Sequence, residues 1–461
     1  MNGCRLMLLF GMLEGCTSDR QDTRARASIL AITHATVVDV TSGRLLADRT
    51  ILIADARILD VLPSESARIP SSAQVVDGAG KFLIPGLWDA HIHLSFTGQD
   101  ALALLVAHGV TSVRDLGGRL DVVQAMRQRI QSGELIGPEI MLSGPALEGA
   151  AWMKAAYQVA PSNHPIWTAA PRAIVSKDNA QRVVDSLKAL GVDLIKSRNV
   201  WGDDFLALVD ATRRAGLPLA SHNPNRVNMV VAAERGLNSF EHAESIWGDF
   251  DTLSVAAREQ MFRQVAETGA LVVPTLIADI GLVVSSDSVL VRAIADTLGI
   301  LDARNRSLPR GMRARWAEAV AQRQQYGAHP PGTFAKITRD VQAMHRAGIP
   351  MLAGSDAGGI PLVYPGSSVH DELELLVREG GLTTLTALQS ATRNPPRFFK
   401  REQDVGTIQS GRRANLVLLD ANPLADIANT RRIAAVILNG QYLNRSALDK
   451  LLAEAERSVR H

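Results

Sequence analysis

Six side chains, far apart in the chain, have the types and settings to hold metal ions. His91 and His93 fall one residue apart in Ile84-Pro-Gly-Leu-Trp-Asp-Ala-His-Ile-His-Leu94. Side chains two apart on an extended strand point to one face, so both imidazoles can converge on one ion. The apolar run before them reads as a buried strand, which puts the pair where that strand ends. A His-x-His pair alone is weak, since such pairs are common on surfaces. Lys196, His222, His242 and Asp356 each close another apolar run: Val192-Asp-Leu-Ile-Lys196, Leu217-Pro-Leu-Ala-Ser-His222, Asn238-Ser-Phe-Glu-His242 and Ile349-Pro-Met-Leu-Ala-Gly-Ser-Asp356.

Each of these has a plain structural alternative. A strand histidine is often a hydrogen-bonded core residue, and an aspartate in Gly-Ser-Asp-Ala-Gly-Gly often caps a turn or helix. Lys196 is harder to dismiss. An unpaired ammonium on an interior strand is costly, so it needs an anionic partner or must lose its charge. Carboxylation by carbon dioxide would achieve the second and leave a carbamate able to bridge two cations.

The elements that must position these residues alternate between strand and helix. Further apolar runs are Gly109 to Arg114, Glu139 to Ser143 and Ala270 to Thr275. Amphipathic helical stretches fall between them, among them Asn179–Leu190, Asp203–Ala215 and Phe334–Ala347, several stopping at a glycine. Eight strands alternating with helices predict an α/β fold, a TIM-like (β/α)8 barrel over residues 84–400. The strand ends then share one face, where barrel active sites lie. Residues 280–333 exceed a simple connection and read as a helical insertion at the barrel mouth. Strand-rich segments at 28–83 and 401–445 are expected to pair into a small β-sandwich built from both ends of the chain, with 446–461 a C-terminal helix or tail.

At 461 residues the chain can bury a large core. Its 49 basic and 47 acidic residues are interspersed, and aromatic residues make up 4%, so no nucleic-acid footprint is present. Both cysteines, Cys4 and Cys16, precede the body, which therefore offers neither disulfide nor thiolate ligand. Arg5 and the apolar run Leu6 to Leu13, followed by Leu13-Glu-Gly-Cys16, resemble a bacterial lipoprotein signal, with Cys16 as the lipid-anchored residue and 17–27 as a tether. The run is too short to span a membrane. This reading places the protein outside the cytoplasm, periplasmic or membrane-anchored; the alternative is a cytoplasmic chain with an unstructured start. A homo-oligomer is compatible with the sequence.

From about residue 28 to 445 the chain resembles the amidohydrolase superfamily. The resemblance rests on Pro85-Gly-Leu-Trp-Asp-Ala-His-Ile-His93, Asp193-Leu-Ile-Lys196, Ser221-His222, Phe240-Glu-His242 and Gly354-Ser-Asp356. Ala387 to Pro395 and Gly406 to Asp420 add to it. Within the superfamily the chain is most similar to the branch holding imidazolonepropionase-like proteins and metal-dependent Xaa-Pro dipeptidases. That resemblance implies two divalent ions, usually Zn2+. His91, His93 and Asp356 would bind the first, His222 and His242 the second, with N-carboxylated Lys196 between them. Imidazolonepropionase itself holds a single metal and lacks the bridging lysine, so Lys196 argues against that activity.

The expected reaction is hydrolysis of an amide or related C–N bond by a metal-bridging hydroxide, with Asp356 as general base and then acid. A dipeptide or N-acyl amino acid is the expected substrate. Cyclic amides and lactones are alternatives on the same site, and a non-catalytic envelope lipoprotein that binds a ligand is the alternative from a different class. Arg198 and Trp201, in Lys196-Ser-Arg-Asn-Val-Trp-Gly-Asp203, could meet a substrate carboxylate or apolar side chain, or could form a solvated loop. Arg114-Asp115, Trp152, Tyr157 and His370 are further residues near the expected mouth. Ser368-Val-His-Asp371 reads more simply as a helix capping box.

Overall fold

The computed structural model describes residues 29–159, 172–224, 226–243 and 253–459. The lipoprotein-like start with Cys4, Cys16 and the tether falls outside them, as does the Tyr157 side chain. Among the described residues there are seventeen strands: β1 Leu30–Val38, β2 Leu45–Ala54, β3 Arg57–Pro63, β4 Gln74–Asp77, β5 Phe82–Pro85, β6 Leu87–Ile92, β7 Val110–Asp115, β8 Glu139–Leu142, β9 Ala146–Gly149, β10 Arg172–Val175, β11 Ile195–Ser197, β12 Leu219–Ser221, β13 Ser239–Glu241, β14 Leu271–Val273, β15 Leu416–Leu419, β16 Ile433–Leu438 and β17 Gln441–Asn444.

The barrel closes through parallel pairings. β6, β7 and β8 form one run, and β10, β9, β11, β12, β13 and β14 form the other. The third barrel position is shared: the chain breaks at Gly144, whose φ is 70°, so β8 pairs with β7 while β9 pairs with β11. The eighth position is an extended segment bridged at Met351 to Val272 and at Ala357 to Ile92. A glycine is required on it. A Cβ on Gly354 would stand 2.7 Å from the His91 Cβ and 2.8 Å from Val273, so only glycine lets this segment lie against β6.

The barrel interior holds Ala90, Leu116, Leu194, Ala220, Leu271, Val273 and Leu352, and Phe398 plugs its floor. The larger core lies between strands and helices. Helices Ala180–Ala189, Gly202–Ala215 and Thr333–Arg346 bury one face each, as their periodicity predicts. Gly216, left-handed at φ 70°, stops the second of them.

Both chain ends enter a single eight-stranded sheet, ordered β17-β16-β15-β5-β1-β2-β3 with β4 added at β1. Hydrogen bonds between Ile58 and residues 411–412 bring β3 back toward β15, so the sheet rolls around its own core of Ile32, Ile51, Ile53, Leu83, Leu416 and Ile437. The insertion comprises a π-helical turn at Ile280–Val284, helix Asp287–Ala295, a 3-10 turn at Ala303–Ser307 and helix Arg310–Tyr326. Trp316, Met312 and Leu308 pack it onto Tyr364. The chain's last helix is Arg445–Ser458. No described helix is long and apolar enough to cross a membrane.

Candidate metal centre

The C-terminal ends of β6, β11, β12 and β13 and of the eighth segment deliver the expected six residues to one end of the barrel. His93 Nε2 lies 3.0 Å and His91 Nε2 3.6 Å from Asp356 Oδ1, and His242 Nδ1 lies 3.8 Å from Asp356 Oδ2. The His91 and His242 rings are 4.4 Å apart, and the His222 and His242 rings 4.7 Å. His91, His242 and Asp356 each offer a ligand atom within 4.8 Å of the others. This grouping takes one histidine from each of the two expected ligand sets, because the sets adjoin.

The backbone is bent to achieve this. His242, Asp356 and Thr275 have φ of 64°, 59° and 52°, a left-handed conformation that L-residues adopt at a cost and that gathers at functional sites.

The partners of each ring select its tautomer. His93 Nδ1 faces the Gly117 carbonyl at 3.1 Å and must donate to it. His91 Nδ1 donates to Glu241 Oε2 at 2.8 Å. Thr275 spends its own proton on the Pro274 carbonyl, so at 2.9 Å it accepts from His242 Nδ1. In His91 and His242 this leaves Nε2 as a lone pair, while His93 Nε2 stands 3.0 Å from Asp356 Oδ1. Burial holds His91 down to about 4, opposed by Asp356, and holds His222 and His242 well below the usual histidine range. His91, His222 and His242 are therefore neutral near pH 7, as metal ligands must be.

Lys196 is fully buried, and its Nζ has no hydrogen-bond partner among the described residues. Burial pushes its pKa down to about 7, against the pull of Glu241 and Asp356. Burial thus favours the free amine over the ammonium. The buried His91 Nε2 is likewise without a hydrogen bond. Buried polar atoms are rarely left so, and Lys196 lies near enough to His91 to lower its pKa. Imidazoles, a carboxylate and a buried amine are donor chemistry that suits a divalent ion of the zinc class, so the residues fit the implied ions.

Glu241 and Arg114 were not singled out as a pair by the sequence, and they organise the layer beneath the ligands. The Arg114 guanidinium lies 2.8 Å from both Glu241 carboxylate oxygens, donates to Ser239 Oγ at 2.9 Å and to the Ala90 carbonyl, and stacks on Phe398 at 4.5 Å. Burial would raise the Glu241 carboxyl, but the Arg114 charge and the His91 hydrogen bond hold it well below the carboxylate range. Glu241 is thus an anion that fixes His91 from behind. Alternation on β13 turns Ser239 and Glu241 inward and Phe240 out into the helix layer. Asp89 similarly holds the eighth segment, accepting from Ser355 N at 2.9 Å and from Ser355 Oγ. Asp115, which accepts Leu94 N at 2.7 Å, is pushed by burial up to about 7.

Around the mouth, Arg198 is one-third exposed and is held by Glu148, a buried carboxylate, at 2.8 Å. Trp201 precedes helix Gly202–Ala215, with the Arg226 guanidinium 5.4 Å above its ring. Arg315 reaches in from the insertion and stacks on Phe96 at 3.9 Å; Phe96 in turn lies 5.4 Å from the His93 ring.

The expectation for His370 does not hold. It is fully buried, with Nδ1 3.0 Å from Thr430 Oγ1 and Nε2 3.0 Å from the His108 carbonyl, so both ring nitrogens are engaged away from the ligands. The capping box is also absent. Gly366 is the N-cap of helix Ser367–Arg378, while Ser368 accepts Tyr364 N and donates to Asp371.

The amidohydrolase family model matches residues 82–443. The ochratoxinase of Aspergillus niger is 23% identical over 456 residues, spanning 86% of this chain and 82% of its own. Among solved structures, a prolidase-like protein from Bifidobacterium longum superposes with a TM-score of 0.68 at 25% identity, over 93% of this chain and 99% of that one. A bottromycin amidohydrolase superposes at 0.71 with 24% identity, over 95% and 91%.

Proposed function

Since the chain belongs to the amidohydrolase family, we propose that it is a binuclear metal-dependent hydrolase of amide C–N bonds, acting on a small substrate that carries a carboxylate, such as a dipeptide or N-acyl amino acid. The observation that carries this is the unpartnered Lys196 amine, buried amid His91, His222, His242 and Asp356. His91, His93 and Asp356 would hold one ion and His222 and His242 the other. The free-base Nζ would attack carbon dioxide, forming an N–C bond and releasing a proton, and the resulting carbamate would lie between them. Bound zinc-type ions supply an acidified water, with a pKa near about 7, and polarise a carbonyl.

The remaining work falls to the chain. Burial opposes ionisation of the Asp356 carboxyl, while the hydrogen bond from His93 Nε2 at 3.0 Å favours the carboxylate. It can therefore take the proton of the attacking water and return it to the leaving nitrogen. Glu241, through His91, and Thr275, through His242, hold the ligand rings in place so that no reorientation accompanies the reaction. Arg198, anchored by Glu148, offers its remaining donors to a substrate carboxylate, and Trp201 an apolar surface to the adjoining side chain.

The relatives support the reading: one is named for ochratoxin, and a solved neighbour at 25% identity is prolidase-like. The zinc-loaded protein is to be screened against dipeptides, N-acyl amino acids and their C-terminal carboxamides. Free acids should be cleaved at least tenfold faster in kcat/KM than the carboxamides, and Arg198→Gln should erase that preference. Absence of amide cleavage by the wild type, or equal rates in Asp356→Asn, would defeat the proposal.

A further inference from the structure

The loop between helix Asp287–Ala295 and the 3-10 turn Ala303–Ser307 exposes Leu298, Ile300 and Leu301 to 72%, 79% and 66% of their full accessibility. It is held in this shape. Asp296, itself buried, accepts Ile300 N at 2.7 Å, Leu301 N at 2.9 Å, Asp302 N at 3.0 Å and Asn305 Nδ2 at 3.1 Å. A single exposed leucine is ordinary, but three large apolar neighbours on a pinned tip are not.

Two arginines collar the tip. Arg292 lies one turn before Asp296, on the helix whose carbonyl at 292 accepts Asp296 N. Arg306 crosses the loop itself, since a Cβ on Gly299 would stand 2.6 Å from its Cγ. Both are exposed, and neither pairs with a carboxylate among the described residues. The nearby Asp302 is taken by Arg304 at 2.7 Å and the Asp296 carboxylate is turned into the loop, so the exposed charges beside the tip are those of Arg292 and Arg306.

Three such side chains present about 400 Å² of apolar surface, half of the roughly 800 Å² per partner that a stable dimer needs. A small convex apolar tip with a guanidinium collar suits a bilayer interface. Its side chains enter the acyl boundary while the arginines meet phosphate headgroups. We infer that Leu298–Leu301 is a membrane-contact prong for an anionic phospholipid surface. An anchor at Cys16 would keep the chain near such a surface, and the prong would then fix its orientation.

Full-length protein carrying Cys16→Ser, which cannot be lipidated there, is sedimented with phosphatidylcholine vesicles and with vesicles half phosphatidylglycerol. It should bind the anionic vesicles preferentially. Leu298→Ser/Ile300→Ser/Leu301→Ser should lower that partitioning at least tenfold at an unchanged melting temperature. Arg292→Gln/Arg306→Gln should remove the preference for anionic lipid. A parent protein that binds neither vesicle, or a triple-serine variant that partitions like its parent, overturns the inference. So does a dimer that depends on the tip and forms without vesicle binding, which would assign the loop to a second copy of the chain.

Discussion

At the floor of the barrel, Phe398 and Phe399 pack edge to face at 4.9 Å, with Trp88 stacked 6.2 Å beyond. The charges around them are paired: Arg401 with Glu139 at 3.0 Å and Asp404 at 2.8 Å, Arg413 with Asp404 at 2.9 Å, and Arg127 with Asp193 at 2.7 Å. At the mouth of the same strands, Lys196 Nζ and His91 Nε2 lack partners, and the chain turns left-handed at His242, Thr275 and Asp356. The floor pairs its charges within the chain, although Trp88 Nε1 and Glu139 Oε2 are also without hydrogen bonds among the described residues. The mouth gathers a buried amine, imidazoles and a carboxylate, and Arg114 joins the two ends, stacked on Phe398 below and ion-paired with Glu241 above. The convergence of metal-binding residue types, rather than orphaned atoms or strain alone, thus distinguishes the mouth from the floor.

Substitutions at the two ends should therefore separate activity from stability. The largest effect on turnover is expected for Asp356→Asn, a loss of about 10³-fold with the melting temperature changed by only a few degrees; an unfolded variant would instead make Asp356 structural. Lys196→Ala should lose about 10²-fold in turnover and half of the bound metal by elemental analysis. Retained metal and rate would remove its bridging role.

Glu241→Gln is placed between the two ends. Metal affinity, titrated with a chromophoric competitor, should fall about 10- to 100-fold, and stability should fall as well because Arg114 keeps its charge without a counter-ion. A loss of stability alone would mean that Glu241 serves only Arg114. At the floor, Phe399→Ala should cost about 2 kcal/mol in denaturant unfolding and leave turnover per folded molecule within about twofold. A large drop in turnover would show that the floor is coupled to the mouth.

Much of this was legible in the sequence, because the ligands fall at the ends of short apolar runs and the barrel brings those ends together. That the candidate ligands His91, His93, Lys196, His222, His242 and Asp356 converge at one barrel end could be read without coordinates. Glu241 and Arg114 carried a weaker signal: two opposite charges on interior strands, each of which needs a counter-ion it cannot find locally. Their sequence separation hid the pairing. His370 misled for a similar reason, as Thr430 and the His108 carbonyl lie 60 and 262 positions away. The division of the third strand at Gly144 followed from one residue's backbone conformation, which an apolar run does not disclose. Glu148 was missed because nothing in the sequence tells a buried carboxylate behind Arg198 from an exposed one.

The central claim is that the mouth is completed by metal ions held through Lys196. Elemental analysis of protein dialysed against zinc and bicarbonate, paired with turnover of a cleaved N-acyl amino acid before and after chelation, tests it most directly. Two ions per chain are expected, with activity lost on chelation and restored by zinc plus bicarbonate but not by zinc alone. Metal below one ion per chain, or a rate untouched by the chelator, would contradict it.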